Sequence, residues 1–185
     1  MEESVKHIED ELLVLRCQDR EVAALSELVH RWHGRLSRFV FRLTEHKEAT
    51  EDVTQECWLA VASGIRKLDD PARFRGWLFR IAANKAADWI RREQRKRKTQ
   101  EGLLSESDTQ IAPESCESES DITILRKALR RLPKEQRVIL RLKYLEGIRT
   151  DDIAEILKVP AGTVKSRLYY AREALREQIA KTKQH

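Results

Sequence analysis

Residues 99–121 constrain this chain more than any other stretch. They carry Glu101, Glu106, Asp108, Glu114, Glu117, Glu119 and Asp121 without a single Lys or Arg, and they are rich in Ser with one Pro. Such a segment cannot bury enough apolar surface to offset the entropy of ordering its backbone. It is predicted to be a flexible acidic linker, and a chain interrupted there must build its cores separately on either side. With 36% charged residues but only 6 Gly and 4 Pro in 185 residues, both sides are expected to be helical. The predicted fold is all-α, with two small helical domains at 1–98 and 122–185.

The first side reads as a helical bundle. From Ser4 to Cys17, Val5, Ile8, Leu12, Leu13 and Leu15 suggest one amphipathic helix. Asp19 is positioned to cap a second, along which Leu25, Leu28, Val29, Trp32, Leu36, Phe39, Val40 and Leu43 recur at helical steps. A polar link from Thr44 to Lys47 precedes a third helix from Glu48 to Ile65, in which Val53, Cys57, Ala60 and Val61 can face inward. That leaves Asp52, Gln55 and Glu56 of the EDVTQE stretch grouped outside, which on its own reads as a solvated acidic face.

After Asp69, Asp70 and Pro71 break the chain, Phe74 to Lys98 forms a helix with two incompatible faces. Phe74, Leu78, Ile81, Ala82 and Trp89 fall on one side as a buried stripe. Arg80, Ala83, Asn84, Ala87 and Arg91 lie on the other, where small residues admit the backbone of another molecule and an amide and guanidinium groups can bind it. The helix ends in Arg91, Arg92, Arg95, Lys96, Arg97 and Lys98, a cluster that attracts polyanions. Lys85 is the exception, since its phase turns it toward the buried stripe. Its stem is expected to lie along Trp89 with the ammonium reaching solvent or DNA.

Beyond the linker, Ile124, Leu125, Ala128, Leu129 and Leu132 mark one helix, and Pro133 suits the first turn of the next. Val138, Ile139, Leu142 and Leu145 supply the buried face of that helix, and Gly147 closes it. Thr150 is then positioned to cap a short helix with Asp151 and Asp152 in its first turn. A last helix runs from Ala161 to Lys181. Ile153, Ala154, Leu157 and Val159 can pack on Val164, Leu168, Ala171, Leu175 and Ile179, the pattern of a helix-turn-helix. Its outward side carries Lys165, Ser166, Tyr169, Tyr170 and Glu173 flanked by Arg167, Arg172 and Arg176, suited to base edges and phosphates in a major groove.

Other functions find little support. The net charge is +5, so distribution matters more than the sum. Cys17, Cys57 and Cys116 lack metal or disulfide spacing, and Cys17 and Cys57 are expected in the core; His30 and His33 find no third ligand. No metal, cofactor or catalytic motif is recognised. There is no apolar run long enough to span a membrane, and Met1 to Arg16 is too acidic for a signal peptide, so a cytoplasmic protein is expected.

Taken together, EDVTQECW, FRGWLFRIAANKAADWIRR and LRRLPKEQRVILRLKYLEGIRTDDIAEILKVPAGTVKSRL, in this order around an acidic linker, resemble the extracytoplasmic-function RNA polymerase sigma factors of the sigma-70 family. The stretches resemble that family's region 2.2, its regions 2.3 and 2.4, and its region 4. The resemblance implies a non-enzymatic initiation factor that binds core RNA polymerase and promoter DNA, both as duplex and as the melted non-template strand, with an anti-sigma factor as a candidate further partner. It implies that Asn84 meets a flipped base beside the loop Leu68 to Gly76, with Arg80, Lys85, Arg91 and Arg92 along the minus-ten strand. It places Thr163, Lys165, Ser166, Arg167, Tyr169 and Tyr170 at the minus-thirty-five element. Asp52, Gln55 and Glu56 change from a solvated face to polymerase contacts, and the linker is implied to thread the polymerase cleft. At Tyr170 the family often has arginine, and tyrosine cannot form a bidentate pair with guanine. An ordinary dimeric helix-turn-helix regulator explains residues 123 to 181 but gives no purpose to Asn84 or EDVTQE. An adaptor that only holds partners leaves the basic helix end unexplained.

Overall fold

The computed structural model describes residues 2–100 and 121–183, with side chains placed within 8–96 and 122–182. The chain divides into two compact units, Met1–Thr109 and Gln110–His185. The body of the predicted linker, 101–120, lies outside the described residues; at its edges Thr99 and Gln100 close one helix and Asp121 opens another.

The first unit contains α1 (Glu2–Gln18), α2 (Val22–Thr44), α3 (Lys47–Gly64) and α4 (Phe74–Gln100). Short 3-10 turns at Ile65–Lys67 and Pro71–Arg73 lead from α3 into α4. The expected stripe of α2 is its core: Leu28, Trp32, Leu36, Phe39 and Val40 are buried, and Leu25, Val29 and Leu43 are half-buried. The Trp32 ring stands edge-on to Phe74 at 6.3 Å and to Phe79 at 6.2 Å, and Phe79 does the same to Phe39 at 5.0 Å. Edge-to-face pairs of this kind add about 0.5–1.5 kcal/mol beyond area burial and fix the rings' orientation.

The inward face of α1 differs from its apolar periodicity. Leu13, Val14 and Cys17 are buried, whereas Ile8, Leu12 and Leu15 are 64%, 56% and 47% exposed. The reason is a charge: Asp10, Leu13, Val14 and Cys17 recur at helical steps, and the buried Asp10 binds Arg75 of α4, turning that face inward. Asp19 does not cap α2. The turn falls at Asp19 and Arg20, with Arg20 left-handed at φ 69°, and Glu21 flanks the helix while its carboxylate is bound by Arg16. At the other end of α2, Glu45 takes a left-handed conformation, φ 55°, and gives its N–H to Phe41 O. His46 then caps α3, its Nδ1 accepting the N–H of Ala49 at 3.3 Å.

The second unit contains α5 (Asp121–Arg130), α6 (Lys134–Leu140) with a π-helical continuation at Arg141–Leu145, α7 (Thr150–Leu157) and α8 (Ala161–Lys183). Helices α5, α6 and α7 all pack on α8. The π turn changes the predicted face of α6: Ile139, Leu140 and Leu142 are buried, but Leu145 is turned out and Glu146 in. Wider hydrogen-bonded turns accommodate one extra residue and rotate the residues beyond it about the helix axis. Gly147 ends the segment at φ 66°, the left-handed conformation that glycine adopts without strain. Pro133 sits just before α6, its carbonyl accepting from Arg137 N, and Thr150 is the first residue of α7 rather than its cap. Between α7 and α8, Lys158 is left-handed at φ 54°, and Val164 N–H reaches Pro160 O. Ile153 and Ile156 of α7 and Val164, Leu168 and Ala171 of α8 are buried, closing the helix-turn-helix. No helix among the described residues is long and apolar enough to cross a membrane.

Candidate nucleic-acid interface

Helix α4 is held along its length by opposite chemistry on its two sides. Phe74, Leu78, Phe79, Ala82 and Ala86 are buried against the bundle, with Ile81 and Trp89 half-buried. Asn84 is exposed, and its neighbours on that side, Ala83 and Ala87, are small and half-buried. Arg80 is half-buried on the same side, and Arg91 is exposed and paired with Asp88 one turn back.

A buried polar cluster fixes the start of this helix. Asp10 Oδ2 accepts from Arg75 Nε at 3.0 Å and from Nη2 at 2.9 Å. Its other oxygen accepts from Trp32 Nε1 and Arg31 Nη1, both at 3.1 Å. The guanidinium of Arg75 also lies 5.2 Å from the Trp32 ring centre, and that of Arg35 lies 5.0 Å away. One carboxylate thus joins α1, α2 and α4.

The chain from Leu68 to Gly76 is fixed by side-chain amide and carboxylate bonds to its backbone. Gln18 Nε2 donates to Ile65 O at 3.2 Å and Leu68 O at 2.8 Å, so the end of α1 holds the turn leaving α3. Asp70 Oδ1 accepts from Ala72 N at 3.0 Å, capping the 3-10 turn that opens on Pro71. The loop therefore enters α4 along a fixed path beside Asn84's helix.

On α3, Val53, Cys57 and Val61 are buried, while Asp52 and Gln55 are exposed and Glu56 is half-buried. Burial pushes the Cys57 thiol up to about 12, so it stays protonated and packs as a small apolar group. Glu56 is not a solitary surface acid. Its Oε2 accepts from Lys85 Nζ at 3.1 Å, and its Oε1 lies 3.6 Å from Arg92 Nη2. Lys85, expected to send its ammonium to solvent or DNA, has a side chain 37% exposed and pairs with that carboxylate across the α3–α4 contact. Trp89 lies against the His46 ring, 5.9 Å between centres.

In the second unit, Lys165, Ser166, Arg167, Tyr169 and Tyr170 are exposed along α8, and Thr163 is half-buried in its first turn. Ser166 Oγ donates to Thr163 O at 3.0 Å, which leaves the oxygen's lone pairs facing outward as acceptors. Tyr169 and Tyr170 meet edge to face at 5.5 Å. Farther along, Arg172 Nη1 donates to Tyr144 OH at 3.3 Å, tying α8 to the π turn.

The arrangement brings the predicted minus-ten residues onto α4 and the predicted minus-thirty-five residues onto α8, and it adds a direct link between Glu56 and two of the former. The Asp10 cluster, the Gln18 clamp and the Arg172–Tyr144 bond also escape sequence reasoning. A signal for the first was available, since Asp10 shares a helical stripe with Leu13, Val14 and Cys17, and Arg75 adjoins Phe74.

Comparison with known proteins accords with this architecture. Residues 28–96 match the family model for Sigma-70 region 2, and residues 122–175 match that for Sigma-70, region 4. The chain is 30% identical over 167 residues to the ECF RNA polymerase sigma factor SigW of Bacillus subtilis, an alignment covering 84% of this chain and 89% of the relative. It is 37% identical over 158 residues to the ECF RNA polymerase sigma factor SigL of Mycobacterium tuberculosis, covering 83% of this chain and 88% of the relative. Among solved structures, the sigma factor RpoE of Bartonella quintana, in complex with the anti-sigma factor NepR, is 26% identical with a TM-score of 0.65. That match covers 86% of this chain and 98% of the solved one.

Proposed function

The chain belongs to the extracytoplasmic-function group of the sigma-70 family, and from that premise we propose which of its side chains meet DNA and which meet polymerase. Its function is that of a sigma factor: it binds core RNA polymerase and directs promoter-specific transcription initiation. We assign polymerase binding and minus-ten opening to residues 1–98, minus-thirty-five recognition to 122–185, and passage between them to the acidic stretch 99–121.

The observation that carries the assignment within the first domain is the two-sided α4, with Asn84 exposed between two alanines opposite the side on which Phe74, Leu78, Phe79, Ala82 and Ala86 are buried. Alanine side chains leave room for a base turned out of the stack, and an amide both donates to and accepts from its edge. Turning the base out costs a few kcal/mol, so neighbouring phosphate contacts must offset it. Arg80, Lys85, Arg91 and Arg92 are proposed to supply them, exchanging weak surface ion pairs with Asp88 and Glu56 for phosphate oxygens.

On α8, Thr163, Lys165, Ser166, Arg167, Tyr169 and Tyr170 are proposed to face the minus-thirty-five groove. The paired tyrosines offer stacking, apolar contact and single hydrogen bonds in place of bidentate guanine recognition. On α3, Asp52, Gln55 and Glu56 are proposed to dock on polymerase. The protein is proposed to act in the cytoplasm and to have no catalytic activity of its own. An anti-sigma factor is a proposed further partner, by likeness to the RpoE–NepR complex.

Run-off transcription with core polymerase and a promoter library tests the whole reading. Factor-dependent transcripts sharing two sequence elements are expected, and no transcript from any member of the library would refute it.

A further inference from the structure

Glu56 stands where the proposed polymerase surface of α3 meets the proposed DNA surface of α4. Its side chain is 39% exposed, and each carboxylate oxygen is directed at a different cation, Lys85 at 3.1 Å and Arg92 at 3.6 Å. The residues that carry them are two helical turns apart on α4, about 10 Å along its axis between backbones, and their charged ends converge on the one carboxylate. A nucleic-acid strand following α4 past Asn84 would need the same ammonium and guanidinium that Glu56 holds. Carboxylate and phosphate are both anionic oxygen acceptors, and they compete for the same donors.

We propose that Glu56 is a placeholder for a DNA phosphate. In the free factor it occupies Lys85 and Arg92; when α3 docks on polymerase, Glu56 turns to a cation of that partner and releases them to the melted strand. The inference rests on the assignment of α3 to polymerase and α4 to DNA. Linkage makes the effect reciprocal: a strand bound to Lys85 and Arg92 frees Glu56 and strengthens polymerase binding by the same factor. Two partly exposed ion pairs set its scale at about threefold to tenfold, and salt reduces it. The free protein is thereby kept from spending its basic surface on stray single strands.

The test measures binding of a fluorescent single-stranded DNA 12-mer carrying a minus-ten sequence to the full chain at low salt. Glu56→Gln is expected to bind it about three- to tenfold more tightly than the original chain, converging with it at high salt. Glu51→Gln makes the same change of net charge at an exposed position of the same helix and should move the affinity less than about twofold. In a Lys85→Met/Arg92→Gln background, Glu56→Gln should add nothing. With saturating factor on core polymerase, its advantage for the strand should vanish, because Glu56 has already left α4. Equal effects of Glu56→Gln and Glu51→Gln, weaker strand binding by Glu56→Gln, an advantage that persists on core polymerase, or no strand binding by any of these chains would each overturn the proposal. Promoter-dependent run-off by the original chain is scored separately, so the placeholder can fail while the sigma-factor assignment stands.

Discussion

Replacing Asp10 by alanine should unfold the first unit far more readily than the loss of one charge near the start of a chain suggests. Its side chain is 3% exposed and faces the guanidinium of Arg75, itself 7% exposed. The substitution would leave that guanidinium buried without its carboxylate and Trp32 Nε1 without its acceptor. Removing one member of a buried ion pair costs about 3–5 kcal/mol. The stranded indole falls within that figure, because the losses share one cluster and do not add. All four tryptophans, Trp32, Trp58, Trp77 and Trp89, lie in the first unit, so urea unfolding followed by tryptophan fluorescence reports on that unit alone. With a slope of about 1–1.5 kcal/mol per molar urea, the midpoint should fall by about 2–5 M. Arg75→Met in the same chain should restore part of the loss, since an apolar side chain leaves no buried charge to satisfy. A midpoint shift below about 0.5 M, or a double variant as unstable as the sum of the singles, would refute the cluster as the anchor of α1.

Asn84→Ala should lower open-complex formation by about tenfold, a hydrogen-bond-sized loss, and erase preference at one minus-ten base while core polymerase binding is retained. Permanganate footprinting on promoter variants reads it, and an unchanged base preference removes Asn84 from the pocket. Tyr170→Arg should change the minus-thirty-five sequence selected from random duplexes toward guanine, and an identical selected motif shows that Tyr170 does not face bases. Cys57 titrates at about 12 in the folded chain, above its unfolded value, so its stabilising contribution is intact below about pH 8.5 and is lost as pH rises toward 12. In paired urea melts, Cys57→Ala should flatten the decline above pH 9 by up to about 1.4 kcal/mol per pH unit, and parallel pH profiles would contradict it.

The helices were legible where one period governed a long run. Leu28, Trp32, Leu36 and Val40 repeat without interruption, and no tertiary contact had to override them. Asp52, Gln55 and Asn84 are exposed for the same reason: their neighbours Val53, Cys57 and Ala82 fill the core face and leave them no other direction. Legibility failed where a polar contact between distant positions chose the orientation. Counting apolar residues turns α1 toward Ile8, Leu12 and Leu15, but burying Asp10 against Arg75, 65 residues away, selects another face. The partner of Lys85 was illegible for a similar reason, since Glu56 lies on another helix and no local spacing connects them. Leu145 was misplaced because a π turn adds a residue that the 3.6-residue count cannot register.

The two hydrogen bonds from Gln18 bear on what the smallest working piece of this chain can be. The region 2 match begins at residue 28, past the whole of α1. A fragment cut to 28–96 would keep every side chain proposed to touch polymerase or the melted strand. It would also leave Ile65 O and Leu68 O without the amide that gathers them, at the turn that aims the chain into α4. Recognition and the means of presenting it are therefore written in different parts of the sequence, and the boundary of a motif is not the boundary of the part that can do its work.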